Sequence, residues 1–389
     1  MTRFRLEQVA VWSLYLFVGA LQLSIFAAQV LLTVVAVCWI GLLITSRVRF
    51  EAPAFFTPLM LYGVLTLVAT AFSVEPWTSL RDDKQLLLYV VVPAATYAIA
   101  RGSRARTAVT VIITVGAASA VVGLIQYGVL HYNNLGQRPQ GPFGHYMTYA
   151  GVLMMVGTAA AARVFFDTRD RMWPAIVLPA LLAALVLTFT RSAWVGASAA
   201  LALLLVMRDF RLVGALPVLV ALFVALAPPQ VTERFYSMFD LRDPTNRDRV
   251  AMLHEGVRMI GADPLTGMGP NMVERMYVRY RDTDAVERVN PHLHNVPMQI
   301  AAERGVPALA AWLWFVGSAI AGLAALWREG RQKSLVATGL GAIAGMLAAG
   351  MFEHNFGNSI FLMLFLVLIT LPFAATRGST PESPGAASS

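Results

Sequence analysis

The sequence predicts an all-α, polytopic membrane protein, and three observations carry that reading. Of 389 residues, 57% are hydrophobic and only 13% charged, against about 25% charged in a soluble domain. Mean hydropathy is +0.63. The apolar residues also gather in uninterrupted runs, close to the roughly 20 residues a helix needs to cross a bilayer. Only helices and closed barrels satisfy their backbone in lipid, and runs of this length select helices.

Twelve such runs can be counted, at 8–24, 27–45, 55–73, 85–100, 107–129, 146–166, 173–189, 193–207, 212–228, 305–327, 334–352 and 357–375. The opening, with Arg3 and Arg5 ahead of the first run, resembles a signal peptide. It lacks a small-x-small cleavage site and a second run follows at once, so it reads as a retained first span. Cys38 is the only cysteine and lies in the second run, so no disulfide within the chain is possible. Runs seven and eight are joined by Thr190, Arg191 and Ser192 alone, which predicts a tight helical hairpin. The organisation expected is nine spans over 1–228, a polar loop over 229–304, three spans over 305–376 and a disordered cytoplasmic tail over 377–389, rich in Ser, Pro, Gly and Ala. No period of 20–50 residues marks a repeat architecture.

The basic residues set the orientation. Arg3, Arg5, Arg47, Arg49, Arg101, Arg104, Arg106, Arg163, Arg169, Arg171, Arg208, Arg211, Arg328, Arg331, Lys333 and Arg377 fall on one side of the predicted membrane. The short connectors of the other side hold Arg81, Lys84, Arg138 and Arg191. The positive-inside rule then makes both termini cytoplasmic and the long loop extracytoplasmic. The net charge of +8 is thereby explained by topology, and nucleic acid is not a predicted partner.

The polar loop is the one long hydrophilic segment. A stretch of this length within a compact protein is functional or disordered. Disorder fits poorly, because Val250, Met252, Leu253, Val257, Met259 and Ile260 recur at helical spacing, as do Val296, Met298, Ile300 and Ala301. Short amphipathic helices are expected there.

Several chemistries find no support. No Asp, Glu or Lys lies in the middle of an apolar run, whereas ion-coupled transporters and proton relays need such groups. Neither a phosphate-binding lysine loop nor a dinucleotide-binding glycine motif is present. The polar groups collect instead at the predicted outer ends of the spans. Arg191 stands between two runs, flanked by Thr190 and Ser192. A snorkelling interfacial arginine is the bland explanation. Its outward position, against the positive-inside bias, and its hydroxyl neighbours favour anion binding.

Arg247 and Arg249 form a second basic feature, which Asp243 and Asp248 would neutralise if the segment were merely a solvated helix face. With Arg191 they suit a diphosphate, since guanidinium forks bind phosphate oxygens bidentately. His294, in His292-Leu293-His294-Asn295, opens a helical pattern running to Arg304. It is a candidate general base. A His-x-His metal site lacks a third ligand at suitable spacing. Asp282-Thr283-Asp284 matches the short Asp-x-Asp of metal-dependent glycosyltransferases, although Arg279 and Arg281 stand ready to pair with it. No metal or cofactor is therefore expected. Two more outward segments, Gln137 to His145 with Arg138, and Glu353 to Asn358 with His354, complete a common extracytoplasmic cavity together with Asn295 and the Trp77 to Lys84 patch.

Taken together, the twelve runs, the late polar loop, the Arg191-Ser192 turn, Pro264-Leu265-Thr266-Gly267-Met268-Gly269-Pro270 and the His294-Asn295 pair before a helix ending Glu303-Arg304-Gly305 resemble the O-antigen ligase and polymerase superfamily. The informative part spans residues 188–305. The resemblance implies a GT-C-related, metal-independent glycosyltransferase in the bacterial inner membrane, with a periplasmic active site. It implies an undecaprenyl diphosphate-linked O-antigen donor and a lipid A–core acceptor. Its functional residues carry over to Arg191, Arg249 and His294, with Arg247 the alternative to Arg249. From the residues themselves, Arg247, Arg138, His145, Asn295 and His354 are expected as further substrate contacts. A ligase is the leading expectation, because one long loop and no appended soluble domain accompany the spans. An O-antigen polymerase, a protein O-oligosaccharyltransferase and, from another class, a flippase of the same lipid are the rivals.

Overall fold

The computed structural model describes residues 3–46, 50–100 and 102–377. Among these the structure is helical throughout, without a strand. Arg47, Arg49, Arg101 and the predicted tail beyond Arg377 lie outside the described residues.

Every predicted apolar run falls on helix. In order these are α1 (Arg3–Ala20), α2 (Ile25–Ser46), α3 (Phe56–Ala71), α4 (Pro76–Asp82), a 3₁₀ segment (Asp83–Val90) leading into α5 (Val91–Ala98), and α6 (Gly102–Gly128). Then come α7 (Tyr146–Phe166), α8 (Met172–Leu187), α9 (Arg191–Arg208) and a 3₁₀ segment (Phe210–Ala215) continuing as α10 (Leu216–Leu226). The polar loop folds into α11 (Pro229–Tyr236), α12 (Pro244–Ala262) and α13 (Val273–Tyr280). The chain ends with α14 (Val296–Arg328), α15 (Lys333–Gly350) and α16 (Ser359–Arg377). Among the described residues, seven helices are long and apolar enough to cross a membrane: α2, α6, α7, α9, α14, α15 and α16. Shorter apolar helices cover 56–71, 172–187 and 210–226. The chain is a multi-pass membrane protein. The expected count of twelve full-length spans is not reached: α1 is not among the seven, runs three and seven form helices of 16 residues, and runs four and nine are each divided between a 3₁₀ segment and a short α-helix.

Helix α16 is buried along nearly its whole length, from Ile360 to Thr376, and packs against α5, α6, α7 and α15. Its Leu, Phe and Ile side chains face helices all round, which is why it shows no polar stripe. Arg163 is a charged residue within the largely apolar interior. It lies inside α7, 2% exposed, and donates to the Arg106 carbonyl and the Thr110 hydroxyl at 2.6 Å each.

One break positions the functional end. Helix α14 is interrupted at Gly305, which has φ 80° and ψ 166°. The Pro264 to Pro270 segment lies in the break and satisfies the backbone groups it frees. Met268 N–H donates to Ala302 O, Gly269 N–H to Glu303 O, and Val306 N–H to Pro264 O, at 2.8–2.9 Å. A β-carbon on Gly305 would lie 2.1 Å from Leu265 O, and one on Gly267 2.4 Å from the Glu303 carbonyl carbon. The glycines of this motif thus serve backbone approach, and the first part of α14 is aimed independently of its membrane part.

Candidate active site at the loop end of the bundle

Residues from four parts of the chain line one cavity of about 380 Å³: Arg191 and Ser192 from α9, Asn246 and Arg249 from α12, His294 and Asn295 ahead of α14, and Met351 and Phe352 after α15. Three of the residues expected from sequence to carry the chemistry, Arg191, Arg249 and His294, are therefore brought together.

Arg191 does not sit in the turn, as the run boundaries suggested. Phe189 reverses the chain at φ 54°, Thr190 takes the position before the helix, and Arg191 is the first residue of α9. No side chain caps that helix, so its positive end meets the cavity beside a guanidinium. The Arg191 side chain is 3% exposed. It donates to Ser237 O at 3.0 Å, Ser237 Oγ at 3.1 Å and Asp243 Oδ1 at 3.3 Å. Asp243 also caps α12 through the Thr245 and Asn246 N–H groups. Asn246 in turn donates to Ser237 O and Asp240 O, which fixes the wall between α11 and α12.

The neighbouring pair is separated by helix geometry. Arg249 lines the cavity with its guanidinium 5.8 Å from the Phe352 ring, whereas Arg247 is exposed and does not line it. Two residues on one helix point to nearly opposite sides, at about 100° per residue. Asp248 neutralises neither of them: it accepts from the Val286 and Glu287 N–H groups and from Asn290, and so pins the 286–290 strand of chain to α12.

Sequence reasoning missed Arg234 on α11. Its side chain is 12% exposed and lies 3.9 Å from Asp243 Oδ2. Burial, then the positive charges of Arg191 and Arg138, push its pKa down to about 10, with Asp243 opposing. Burial and Arg191 also lower Arg249. Arg138 is lowered by burial and by Arg191, with Tyr146 opposing; it lies 4.3 Å over the Tyr146 ring rather than in the cavity wall. Four guanidiniums thus share one field with two carboxylates, Asp243 and Glu353. Nothing local in the sequence singles out Arg234 among the ten arginines of the loop.

His294 has φ 47°, unusual for a residue with a side chain. It is held there from both sides. Leu293 N–H donates to Gln299 Oε1 at 2.7 Å. Asn295 caps α14 through Met298 N–H and donates to Met351 O at 3.2 Å. The imidazole Nδ1 lies 3.1 Å from Glu353 Oε1. Burial disfavours the imidazolium, but the Glu353 charge and hydrogen bond outweigh it and raise the His294 pKa, against Arg249.

The remaining candidates have other settings. His145 is exposed and caps α7, accepting from Thr148 N–H at 3.4 Å. His354 stands beside a smaller polar chamber with Asp82, Asp83 and Arg304, its ring 5.0 Å from that of His292. Burial, then His292, Arg304 and His294, hold its pKa well below the usual value. Asp282 is paired with Arg258 at 2.8 Å and His254 at 3.4 Å, from α12 rather than from Arg279 or Arg281. Among the described residues no group of three or more His, Cys, Asp or Glu is arranged to hold a metal ion.

Residues 174–313 match the family model described as O-antigen ligase. That segment is an O-antigen ligase/polymerase superfamily domain. It contains Arg191, Arg234, Arg249 and His294, and the superfamily is one of glycosyltransferase-like ligases and polymerases. Arg138 and Glu353, whose charges act on Arg234, Arg249 and His294, fall outside the matched residues. No curated protein matches the chain.

Proposed function

We propose that the protein is an O-antigen ligase. It would move a glycan from undecaprenyl diphosphate to a sugar hydroxyl of lipid A–core, on the periplasmic face of the bacterial inner membrane, with both termini cytoplasmic. The observation that carries this reading is that two guanidiniums, Arg191 and Arg249, line one cavity together with the His294 imidazole, with Arg234 close behind. A diphosphate supplies the opposite charge. Its apolar carrier suits the Val195, Met238, Phe239, Leu241, Val250 and Leu253 wall of the same cavity.

In the proposed reaction, His294 takes the proton of the acceptor hydroxyl, and that oxygen attacks the anomeric carbon. The bond from carbon to phosphate oxygen breaks, and its electron pair leaves on the diphosphate. Arg191 and Arg249, with Arg234 behind them, stabilise the growing charge. The donor already carries an activated anomeric bond, so neither nucleotide nor metal is invoked. Direct displacement inverts the anomeric centre, and among the described residues none of those lining the cavity is acidic, as a covalent route would need.

Reconstitution with purified lipid-linked glycan and lipid A–core tests the reading. Transfer to lipid A–core supports a ligase. Chain extension of the donor instead would make it a polymerase, and transbilayer movement without transfer would make it a flippase.

A further inference from the structure

We propose that Glu353 is the positioning residue for His294: it accepts the Nδ1 proton, fixes that tautomer, and leaves Nε2 as the proton acceptor toward the cavity. The inference rests on the reading of His294 as the base.

Two observations besides the 3.1 Å separation support it. The carboxylate is itself fixed, because Oε1 also accepts from the His354 N–H at 3.0 Å, while Oε2 is buried without a hydrogen-bond partner. The two chain segments are also registered twice. Asn295 bonds Met351 O one residue along from His294, while Glu353 bonds His294 two residues along from Met351. A histidine with strained backbone, held on both sides and met by a fixed carboxylate, has one orientation available. A carboxylate can only accept, so Nδ1 must carry the proton, and the base is Nε2. This is the general arrangement of an imidazole base oriented by a buried acid.

The charged groups around His294 are Glu353 and His354 from the connector after α15, Arg249 and Asp248 from α12, and His292 from its own segment. Glu353 is the acid bonded to the ring, and it favours the imidazolium. Its removal should therefore lower the His294 pKa. A base works when deprotonated, so activity rises with pH through that pKa, and losing Glu353 moves the rise to lower pH.

The test compares Glu353→Gln, Glu353→Asp and His294→Ala in the full-length protein, reading lipid-diphosphate binding and the pH profile of transfer. Glu353→Gln should bind donor as wild type and lose on the order of 10²-fold in maximal transfer. Its acid limb should shift to lower pH, and Glu353→Asp should recover part of the rate. An unmoved acid limb and an undiminished plateau in Glu353→Gln, with His294→Ala inactive, overturn the proposal and spare the base assignment. Wild-type transfer by His294→Ala overturns both. Loss of folded protein in Glu353→Gln, with Glu353→Asp showing a wild-type profile, would make the contact structural and also overturn it.

Discussion

Two groups of charged residues occupy the same end of the molecule and resolve their charge in opposite ways. Around Arg304 each charged group has a partner within the chain. Arg304 donates to Glu303 at 2.6 Å and to Asp82 at 3.5 Å, and Asp83 accepts from the Thr70 hydroxyl at 2.7 Å. Glu303 is 2% exposed. Beside the cavity guanidiniums outnumber the carboxylates named as acting on them, since Arg138, Arg191, Arg234 and Arg249 share a field with Asp243 and Glu353. A buried charge is costly unless paired. Charges that each find a partner in their own chain are therefore architecture, whereas guanidiniums gathered beside a cavity with fewer carboxylates mark a place for an anion.

The comparison can be broken by removing one arginine from each group. Arg304→Met should strand Glu303 and Asp82 beneath the α14 break. Breaking a buried pair this way costs about 3–5 kcal/mol, so little folded protein should survive, as read by thermal melting in detergent. Arg191→Lys should leave melting close to wild type. It keeps the charge and loses the planar fork, and transfer should fall about 10²-fold, within the usual range for losing one preorganised donor. The reverse pattern would mean that Arg191 is the structural residue.

The α12 pair sharpens the same point at a smaller scale. Arg249→Ala should lower transfer at least about tenfold, while Arg247→Ala, exposed on the opposite face, should stay within about twofold of wild type. Steady-state transfer assays decide between them; equal losses would show that the helix is rotated in the working enzyme. The smallest effect is expected at Asp282. Asp282→Ala should lose an exposed pairing with Arg258 and His254 and the acceptor of the Asp284 N–H, with little effect on stability. Activity should survive both this change and EDTA, and a loss restored by Mg²⁺ or Mn²⁺ would revive the Asp-x-Asp reading.

What the sequence made legible follows period and contiguity. The apolar runs fell on helix because their length alone selects that structure. Val250 to Ile260 and Val296 to Ala301 announced α12 and the start of α14 by helical spacing. Arg191, the Arg247 and Arg249 pair and His294 drew notice because each stood out against apolar or patterned neighbours, and the family resemblance favoured Arg249 within the pair. Long-range pairing was not legible. Glu353 lies 59 positions from His294, and only the fold brings them together. Arg234 was one arginine among ten in the loop. The Pro264 to Pro270 motif drew notice as part of the family resemblance, but its partner, the break at Gly305, lies within α14. His145 was chosen for its chemistry, while its place before α7 gives it a capping task.

The central claim is that the cavity divides its work, with arginines holding the diphosphate and His294 taking the acceptor proton. Binding of the lipid diphosphate and transfer of its glycan, measured in one detergent on Arg191→Ala and His294→Ala, test it most directly. The account predicts that Arg191→Ala loses both, and that His294→Ala keeps binding while transfer falls about 10²–10⁴-fold. Folded His294→Ala that transfers at the wild-type rate, or Arg191→Ala that binds donor undiminished, would contradict it.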